Sequence, residues 1–284
     1  MATQYSSSAL VDNYLRKRKI PSTACSGCGL GINHKIVIQA IEELHLSVND
    51  IVWGTSIGCA GRQTFATWQG DGFAGTHGRA YAIARGLRIA LPRDKKIILT
   101  VGDGDAFGIG LLHLIHSARS NADMTVIVND NLGYQSTGGQ FGFTTPQGVK
   151  TDSSPYGMFE HNLMSEGMDV MHILKGAGAT FLARHVCMDG AEAVESVKKA
   201  ILNPGFSLVH MPYPCPTNFA SRHLGSRNAV NIFNWMKERS APLGKETPDT
   251  IWATGIYHDA VGSRSEFSDH IWSTVNKIRR TGAL

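Results

Sequence analysis

The segment TVGDGDAFGIG at residues 100–110 constrains the fold more than any other part of the sequence. It begins where the strand pattern KKIILTV (95–101) ends, and a helical pattern over 106–121 and a second strand pattern over 123–129 follow it. A strand, a helix and a strand within about 35 residues form a βαβ unit, whose crossover is right-handed in nearly all folds. The segment therefore predicts a parallel sheet with glycines and acids at the end of a buried strand.

The rest of the chain alternates in the same way between predicted strands and helices. The predicted helices are 31–46, 76–91 and 190–202, the predicted strands are 50–56 and 206–211, and 168–186 is predicted to be a helix followed by a strand. This alternation predicts an α/β fold with a doubly wound, mostly parallel sheet. The Gly-, Thr- and Pro-rich stretch 132–157 has no period, and an irregular loop of this length in a compact domain is usually functional.

The sequence divides into three predicted parts. Residues 1–24 are an N-terminal segment with one short helix, and 25–216 are the main domain. Residues 217–284 are polar and mixed in pattern, so we predict a C-terminal extension there and expect it to lie at an interface.

Composition excludes several classes of protein. The chain has 284 residues, of which 42% are hydrophobic, and this is ordinary for a globular protein. Its net charge of +4 comes without a basic stripe that includes aromatic residues, so nucleic acid is not an expected partner. No apolar stretch approaches the roughly 18 residues of a membrane span, and the first residues lack the order of a secretory signal. We therefore expect a cytoplasmic protein without a membrane partner.

Two polar motifs follow neighbouring predicted strands. In open α/β sheets, ligands bind beyond the carboxyl ends of the strands, where GDGD (102–105) and NDN (129–131) both lie. The glycines let the backbone approach a ligand and turn amides toward phosphate oxygens. Asp103 and Asn131 supply the oxygen ligands that Mg²⁺ prefers. A lone Gly-Asp-Gly is usually only a turn, but Asn131 follows Asp103 by 28 positions across one helix and one strand, and this favours a magnesium diphosphate site.

The spacing of GDGD and NDN resembles the thiamine-diphosphate signature. Several motifs in a fixed order extend this resemblance to the β subunit of the 2-oxoacid:ferredoxin oxidoreductases, over about residues 20 to 217. The motifs are CSGCG (25–29), GTSIGCAGR (54–62), THGRA (76–80), GDGDAFGIG (102–110), HLIHSARSN (113–121), NDNLGYQSTGGQ (129–140) and TTPQGVKTDSSPYG (144–157). The second, the third and the last of these look more like the 2-oxoglutarate branch of the family than the pyruvate branch. The resemblance implies the thiamine-diphosphate-binding fold.

The resemblance also implies how the cofactor is held. Asp103, Asn131 and the carbonyl of Gly133 would bind Mg²⁺. The other residues that it assigns to the cofactor are Ile57, His77, Gly102, Gly104, Asp105, Tyr134 and Thr137. Thiamine catalysis also needs an activating glutamate, and no Glu here stands in a matching motif. The resemblance places that residue on a partner α subunit, so the chain should be inactive alone.

Two residues are candidates for contact with the substrate. By resemblance Arg62 faces the substrate, and a guanidinium suits a carboxylate through two parallel hydrogen bonds. A surface arginine is the alternative. His77 is a candidate for contact with the cofactor or for protonating a substrate group, with a hydrogen-bonded core histidine as the alternative.

The five cysteines indicate metal or redox chemistry more than disulfides, because their number is odd and the chain looks cytosolic. Cys25 and Cys28 form a C-x-x-C turn, which suits zinc, a redox dithiol or an iron–sulfur cluster. The resemblance maps Cys25, Cys28, Cys59 and Cys215 onto the four ligands of a [4Fe–4S] cluster. Cys187 fits no motif and is predicted to be a buried apolar thiol.

Together these features predict an oxidoreductase subunit. The implied reaction converts a 2-oxoacid, preferably 2-oxoglutarate, with coenzyme A to an acyl-coenzyme A and CO₂, and passes electrons through the cluster to ferredoxin. The implied assembly is αβ or (αβ)₂. Two alternatives stay open: a thiamine-dependent decarboxylase or synthase without a cluster, and a non-catalytic electron-transfer subunit.

Overall fold

The computed structural model of the protein describes residues 7–20, 22–157 and 168–281. Its helices are α1 Ser7–Tyr14, α2 Leu30–Glu43, α3 Cys59–Thr67, α4 Ala80–Ala90, α5 Leu111–Arg119, α6 Val170–Ala177, α7 Gly190–Leu202, α8 Ala229–Glu238 and α9 Phe267–Thr281, with shorter helical turns between them. Its strands are β1 Ile51–Thr55, β2 Gly72–Ala74, β3 Lys96–Gly102, β4 Met124–Asp130, β5 Phe181–Arg184, β6 Phe206–Pro212, β7 Ser240–Pro242 and β8 Trp252–Asp259.

Within these ranges the strands form one sheet in the order β2-β1-β3-β4-β6-β5-β8-β7. The six strands from β2 to β5 are parallel, and β8 joins the edge antiparallel to β5. The predicted βαβ unit is confirmed, because β3 and β4 pair in parallel with α5 between them in sequence. The predicted α/β class with a mostly parallel sheet is confirmed as well.

The apolar residues of β3 explain why the sheet lies in the middle of the molecule. Ile97, Leu99 and Val101 face a core that α4, α5 and α6 cover, whereas Ile98 faces a second core that α2 and α7 cover. Strands buried on both faces have continuous apolar sequences because alternate residues enter opposite cores. The central strands are therefore held rigidly and can position groups at their ends.

The C-terminal region contributes regular structure that its sequence pattern did not predict. Residues 240–242 and 252–259 are strands, and 229–238 and 267–281 are helices. The two strands lie at the sheet edge, and all four elements are only partly buried, so the hydrophobic periodicity that would reveal them is weak. A boundary at 216/217 stays a prediction, but β8 belongs to the same sheet as the main domain.

The helix predicted over 106–121 is interrupted. A π-helical turn covers Gly104–Ile109, Gly108 departs from helical geometry, and the regular helix runs only from Leu111 to Arg119. Such turns are often found at functional sites. Among the described residues, the structure contains no helix with the length and hydropathy that a membrane crossing requires.

Candidate functional site

The carboxyl ends of β1, β3 and β4 surround a cavity of about 110 Å³, here called the strand-end cavity. The parallel register places Gly102 at the end of β3 beside Asn129 in β4, so the two polar motifs meet at the same edge. All ten residues predicted to bind the cofactor line this cavity: Ile57, His77, Gly102, Asp103, Gly104, Asp105, Asn131, Gly133, Tyr134 and Thr137.

The backbone around this cavity requires glycine at two positions. A Cβ on Gly104 would collide with the ring of Tyr134. Gly133 has φ of 139°, which side chains rarely tolerate, and it turns its amide toward Asp103. The motif glycines therefore allow Tyr134 and the loop after β4 to approach the end of β3.

Hydrogen bonds occupy one oxygen of Asp103. Its Oδ2 accepts from the Gly133 amide at 2.9 Å and from the Thr144 hydroxyl at 3.0 Å. The same hydroxyl lies 2.8 Å from Oδ1 of Asp130, which also accepts from the Leu132 amide at 2.8 Å. Two buried carboxylates thus share one hydroxyl, and Oδ1 of Asp103 remains for a ligand.

The electrostatics of this pair favour a cation. Burial, and then repulsion from Asp130, raises the pKa of Asp103 well above its ordinary value. Burial also raises the pKa of Asp130 to about 6. Desolvation disfavours an isolated buried carboxylate, and a nearby positive charge reverses that effect. A divalent cation at Asp103 would therefore relieve an unfavourable charge that the fold creates.

Asn131 is oriented by Tyr213. Its Nδ2 donates to the Tyr213 hydroxyl at 2.7 Å, while its buried Oδ1 has no hydrogen-bond partner among the described residues. Buried polar atoms without partners are rare in native structures and often mark the place of an ion or water. The carbonyl of Gly133 accepts from the Gln135 amide at 2.9 Å, which leaves its second lone pair. These oxygens and that of Asp103 fit Mg²⁺ in donor type.

Asp105 faces His77 and not the centre of the cavity. Its buried Oδ1 accepts from Ser56 Oγ at 2.7 Å and from the Gly78 amide at 2.9 Å, and it pairs with Nδ1 of His77. An acceptor at Nδ1 leaves Nε2 as the nitrogen for a ligand. The His77 side chain is 38% exposed, so it is not a buried core histidine.

The four cysteines assigned by resemblance line a second cavity of about 200 Å³, here called the cysteine cavity. Cys25 and Cys28 precede α2, Cys59 begins α3, and Cys215 follows β6. Within the described ranges, no three metal-binding side chains approach closely enough to hold a single ion. A cluster has a separate iron for each thiolate, and four thiols around a cavity suit it.

Burial keeps several thiols protonated in the absence of a metal. It raises the pKa of Cys28 to about 12 and also raises the pKa of Cys215. Cys187 is 2% exposed, lies outside the residues that line the cysteine cavity, and has its pKa raised to about 12 by burial. Its placement agrees with the prediction of a buried thiol.

Arg62 lies at the cysteine cavity and does not line the strand-end cavity. Its Nη2 is 3.2 Å from Ser136 Oγ and 3.9 Å from Cys59 Sγ, and Arg62 lines the cysteine cavity. No carboxylate pairs with it among the described residues, so its guanidinium remains open to a ligand.

Sequence reasoning missed several residues around the site. His210 Nε2 is 2.9 Å from Asp130, and Nδ1 of His210 accepts from Arg184 Nε at 2.9 Å. Burial lowers the pKa of His210 well below its ordinary value. His210, Arg184 and Asp130 also line a larger cavity of about 810 Å³ on the other side of the loop after β4. Strand position and side-chain type alone did not distinguish these residues from ordinary buried polar groups, and the same holds for Ser56, Thr144 and Tyr213.

Comparison with known proteins agrees with this geometry. Residues 54–211 match the family "Thiamine pyrophosphate enzyme, C-terminal TPP binding domain". The chain is 38% identical over 232 residues to the 2-oxoglutarate synthase subunit KorB of Methanocaldococcus jannaschii, covering 82% of this chain and 83% of that protein. Its identity to the KorB subunit of Methanothermobacter marburgensis is 36% over 270 residues, covering 93% of this chain and 91% of that protein.

The chain belongs to the family of 2-oxoacid:ferredoxin oxidoreductase β subunits. Among solved structures, the 2-oxoglutarate:ferredoxin oxidoreductase from Magnetococcus marinus with 2-oxoglutarate, coenzyme A and succinyl-CoA bound is similar with a TM-score of 0.79 and 25% identity. That likeness covers 95% of this chain and 89% of the other. Membership confirms the resemblance, the oxidoreductase class and the thiamine-binding fold that the motifs implied.

Proposed function

We propose that this β subunit serves a 2-oxoglutarate:ferredoxin oxidoreductase that forms succinyl-CoA, CO₂ and reduced ferredoxin. One observation carries the proposal: the strand-end cavity and the cysteine cavity share a wall, to which Asn131, Tyr213 and Cys59 all contribute. A thiamine enzyme that passes electrons to a cluster needs such adjacent sites. The choice of 2-oxoglutarate rests on the names of the relatives and on the ligand of the similar structure.

Mg²⁺ would be held by Oδ1 of Asp103, Oδ1 of Asn131 and the carbonyl of Gly133. The buried partnerless oxygen of Asn131 and the raised pKa of Asp103 support this assignment. Backbone amides of GDGD and of the loop 133–137 would face the diphosphate, since an end of β3 rich in glycine permits close approach.

When bound, thiamine diphosphate supplies the electron sink that allows a 2-oxoacid to lose CO₂. His77 would use Nε2 toward the cofactor or substrate, because Asp105 holds its Nδ1. Asp105, itself held by Ser56, would orient His77 through the contact of its Oδ1 with Nδ1. Arg62, with no partner carboxylate among the described ion pairs, would bind a substrate carboxylate.

Cys25, Cys28, Cys59 and Cys215 would bind a [4Fe–4S] cluster, which supplies a one-electron acceptor beside the thiamine site. Cys25 is exposed, and this suits electron exit to a partner at the surface. The net charge of +4 is compatible with an acidic ferredoxin. Thiols and a cluster also suit a reducing compartment, so we place the enzyme in the cytoplasm.

An α subunit would complete the active site. No residue that lines the described strand-end cavity is a glutamate, although thiamine activation needs one. Three large apolar side chains are exposed in this region. Ile57, which lines the cavity, is 51% exposed, Ile109 in the π-helical turn is 54% exposed, and Leu112 in α5 is 63% exposed. Exposed apolar side chains beside a polar site are typical of interaction surfaces. We propose an αβ unit, alone or paired as (αβ)₂.

The test is anaerobic co-expression with the α subunit, followed by analysis of iron and sulfide and an assay with 2-oxoglutarate and pyruvate. We expect about four irons per β chain and electron transfer to ferredoxin that requires coenzyme A and prefers 2-oxoglutarate. Release of CO₂ without coenzyme A from an iron-free complex would instead indicate a simple decarboxylase. Turnover that survives Asp103→Ala would indicate a subunit that only carries electrons.

A further inference from the structure

Tyr213 lies in the wall between the two cavities and has no role in the proposal above. It follows β6 and precedes Cys215 by two positions, and it is 1% exposed. It lines both the strand-end cavity and the cysteine cavity. A buried tyrosine usually finds a partner for its hydroxyl, so the partner indicates what the residue does.

On the strand-end side the hydroxyl oxygen accepts a hydrogen bond. Asn131 Nδ2 donates to it at 2.7 Å, and the amide then presents Oδ1, which has no other partner, for a cation. Partners of metal ligands commonly fix the orientation of those ligands. Tyr213 is therefore placed to hold the amide of Asn131 in the orientation that a cation requires.

On the other side the hydroxyl proton has no acceptor of oxygen, nitrogen or sulfur type among the described residues. The thiols of Cys28, Cys59 and Cys215 line the cysteine cavity together with Tyr213. A hydroxyl has a single proton, and its oxygen already accepts from Asn131. The hydroxyl proton of Tyr213 is therefore free to point toward the cysteine cavity.

We propose that the Tyr213 hydroxyl links the two sites, accepting from the magnesium ligand Asn131 and donating toward the sulfurs of the cysteine cavity. The inference rests on the proposed function, because it needs a cation at one site and a cluster at the other. Hydrogen bonds to sulfur stabilise the more negative, reduced cluster and raise its reduction potential. Tyr213 is thus a positioning residue for the metal and sets the potential of the electron acceptor.

The experiment uses the anaerobically purified complex with Tyr213→Phe. We expect the iron content to stay at the wild-type level, the reduction potential to fall in a redox titration followed by electron paramagnetic resonance, and the Mg²⁺ concentration for half-maximal thiamine diphosphate binding to rise roughly tenfold or more. Tyr14→Phe is the matched control. That tyrosine is 5% exposed, its hydroxyl donates to the Leu46 carbonyl at 2.9 Å, and it lines neither the strand-end cavity nor the cysteine cavity.

A second variant tests the proposal in case Tyr213→Phe does not fold. Fluorotyrosine introduced at position 213 keeps the ring and the hydroxyl but is a stronger hydrogen-bond donor, so the potential should rise. A potential unchanged by both substitutions, in protein with full iron content, would overturn the inference while leaving the proposed function in place. Wild-type complex without iron, or without Mg²⁺-dependent thiamine binding, would instead overturn the proposed function.

Discussion

The strand-end cavity and the cysteine cavity share a wall, yet the fold builds them differently. The first is formed at the ends of adjacent parallel strands, and hydrogen bonds to Asp103, Asp105 and Asn131 arrange it before any ligand binds. The second joins cysteines 190 positions apart, from Cys25 to Cys215, and burial keeps its deeper thiols protonated. The first cavity is preorganised, whereas the second would have to lose protons to bind the proposed cluster.

This difference predicts that each site can be lost separately. The largest effect should come from Asp103→Asn, because the amide can keep the hydrogen bonds of Oδ2 but replaces the oxygen meant for the metal. We expect Mg²⁺ affinity to fall by more than about 100-fold and turnover to be lost. The iron content should stay unchanged, as measured in the same preparation.

The same substitution should stabilise the metal-free chain. It removes a buried carboxylate that Asp130 repels, so we expect the free energy of unfolding at pH 7 to rise by about 1 kcal/mol. Urea unfolding without Mg²⁺ measures this, with the exposed Asp94→Asn as control. Loss of iron together with thiamine, or a less stable metal-free chain, would contradict the contrast between the sites.

Cys28→Ser should produce the opposite pattern. We expect loss of the visible absorbance of the cluster and of ferredoxin reduction, while Mg²⁺-dependent thiamine diphosphate binding persists. Cys187→Ser is the matched control, because Cys187 is also buried but lies outside the cysteine cavity. It should keep the cluster and cost roughly 1–3 kcal/mol of stability through a buried hydroxyl. Normal iron content in Cys28→Ser would rule out the assigned ligand set.

His77→Gln should lower the rate of the reaction at the strand-end cavity and leave the cysteine cavity unchanged. If Nε2 exchanges a proton with substrate or cofactor, kcat should fall roughly 100-fold with little change in KM. Ser56→Ala, which removes one hydrogen bond to Asp105, should lower kcat less, by about tenfold at most. Steady-state kinetics of the complex measure both effects, and wild-type kcat in His77→Gln would exclude a catalytic role for that residue.

Asp130 should make the stability of the metal-free chain depend on pH. Burial raises the pKa of Asp130 to about 6, so between about pH 4 and pH 6 the folded chain binds a proton that the unfolded chain releases. The free energy of unfolding due to Asp130 therefore falls by about 2 kcal/mol as pH rises through this window. Relative to wild type, Asp130→Asn should be more stable at pH 7 than at pH 4.5. A difference independent of pH would contradict the raised pKa.

The sequence predicted the central sheet well, and the structure brings the predicted strand-end residues to one cavity. In β3, the continuous apolar residues indicated a buried strand, and the GDGD motif after them indicated a candidate ligand-binding end. Burial requires apolar residues, whereas ligand binding requires glycine and polar residues. The sequence did not predict β8, whose side chains are mostly half-exposed and lack a clear alternation. It also did not predict the contact of Asp105 with His77, because these residues are 28 positions apart in the sequence.

Local pattern was sufficient for the fold class, the parallel strands and the meeting of the two polar motifs at one edge of the sheet, because each depends on neighbours along the chain or on one strand register. Tertiary packing was needed to bring Cys215 to the same cavity as Cys25. It also placed the Thr144 hydroxyl between Asp103 and Asp130, and Tyr213 in the wall between the two cavities. Such contacts form where separate elements meet, and the pKa values and hydrogen bonds that result depend on burial and distance, which residue order does not encode locally.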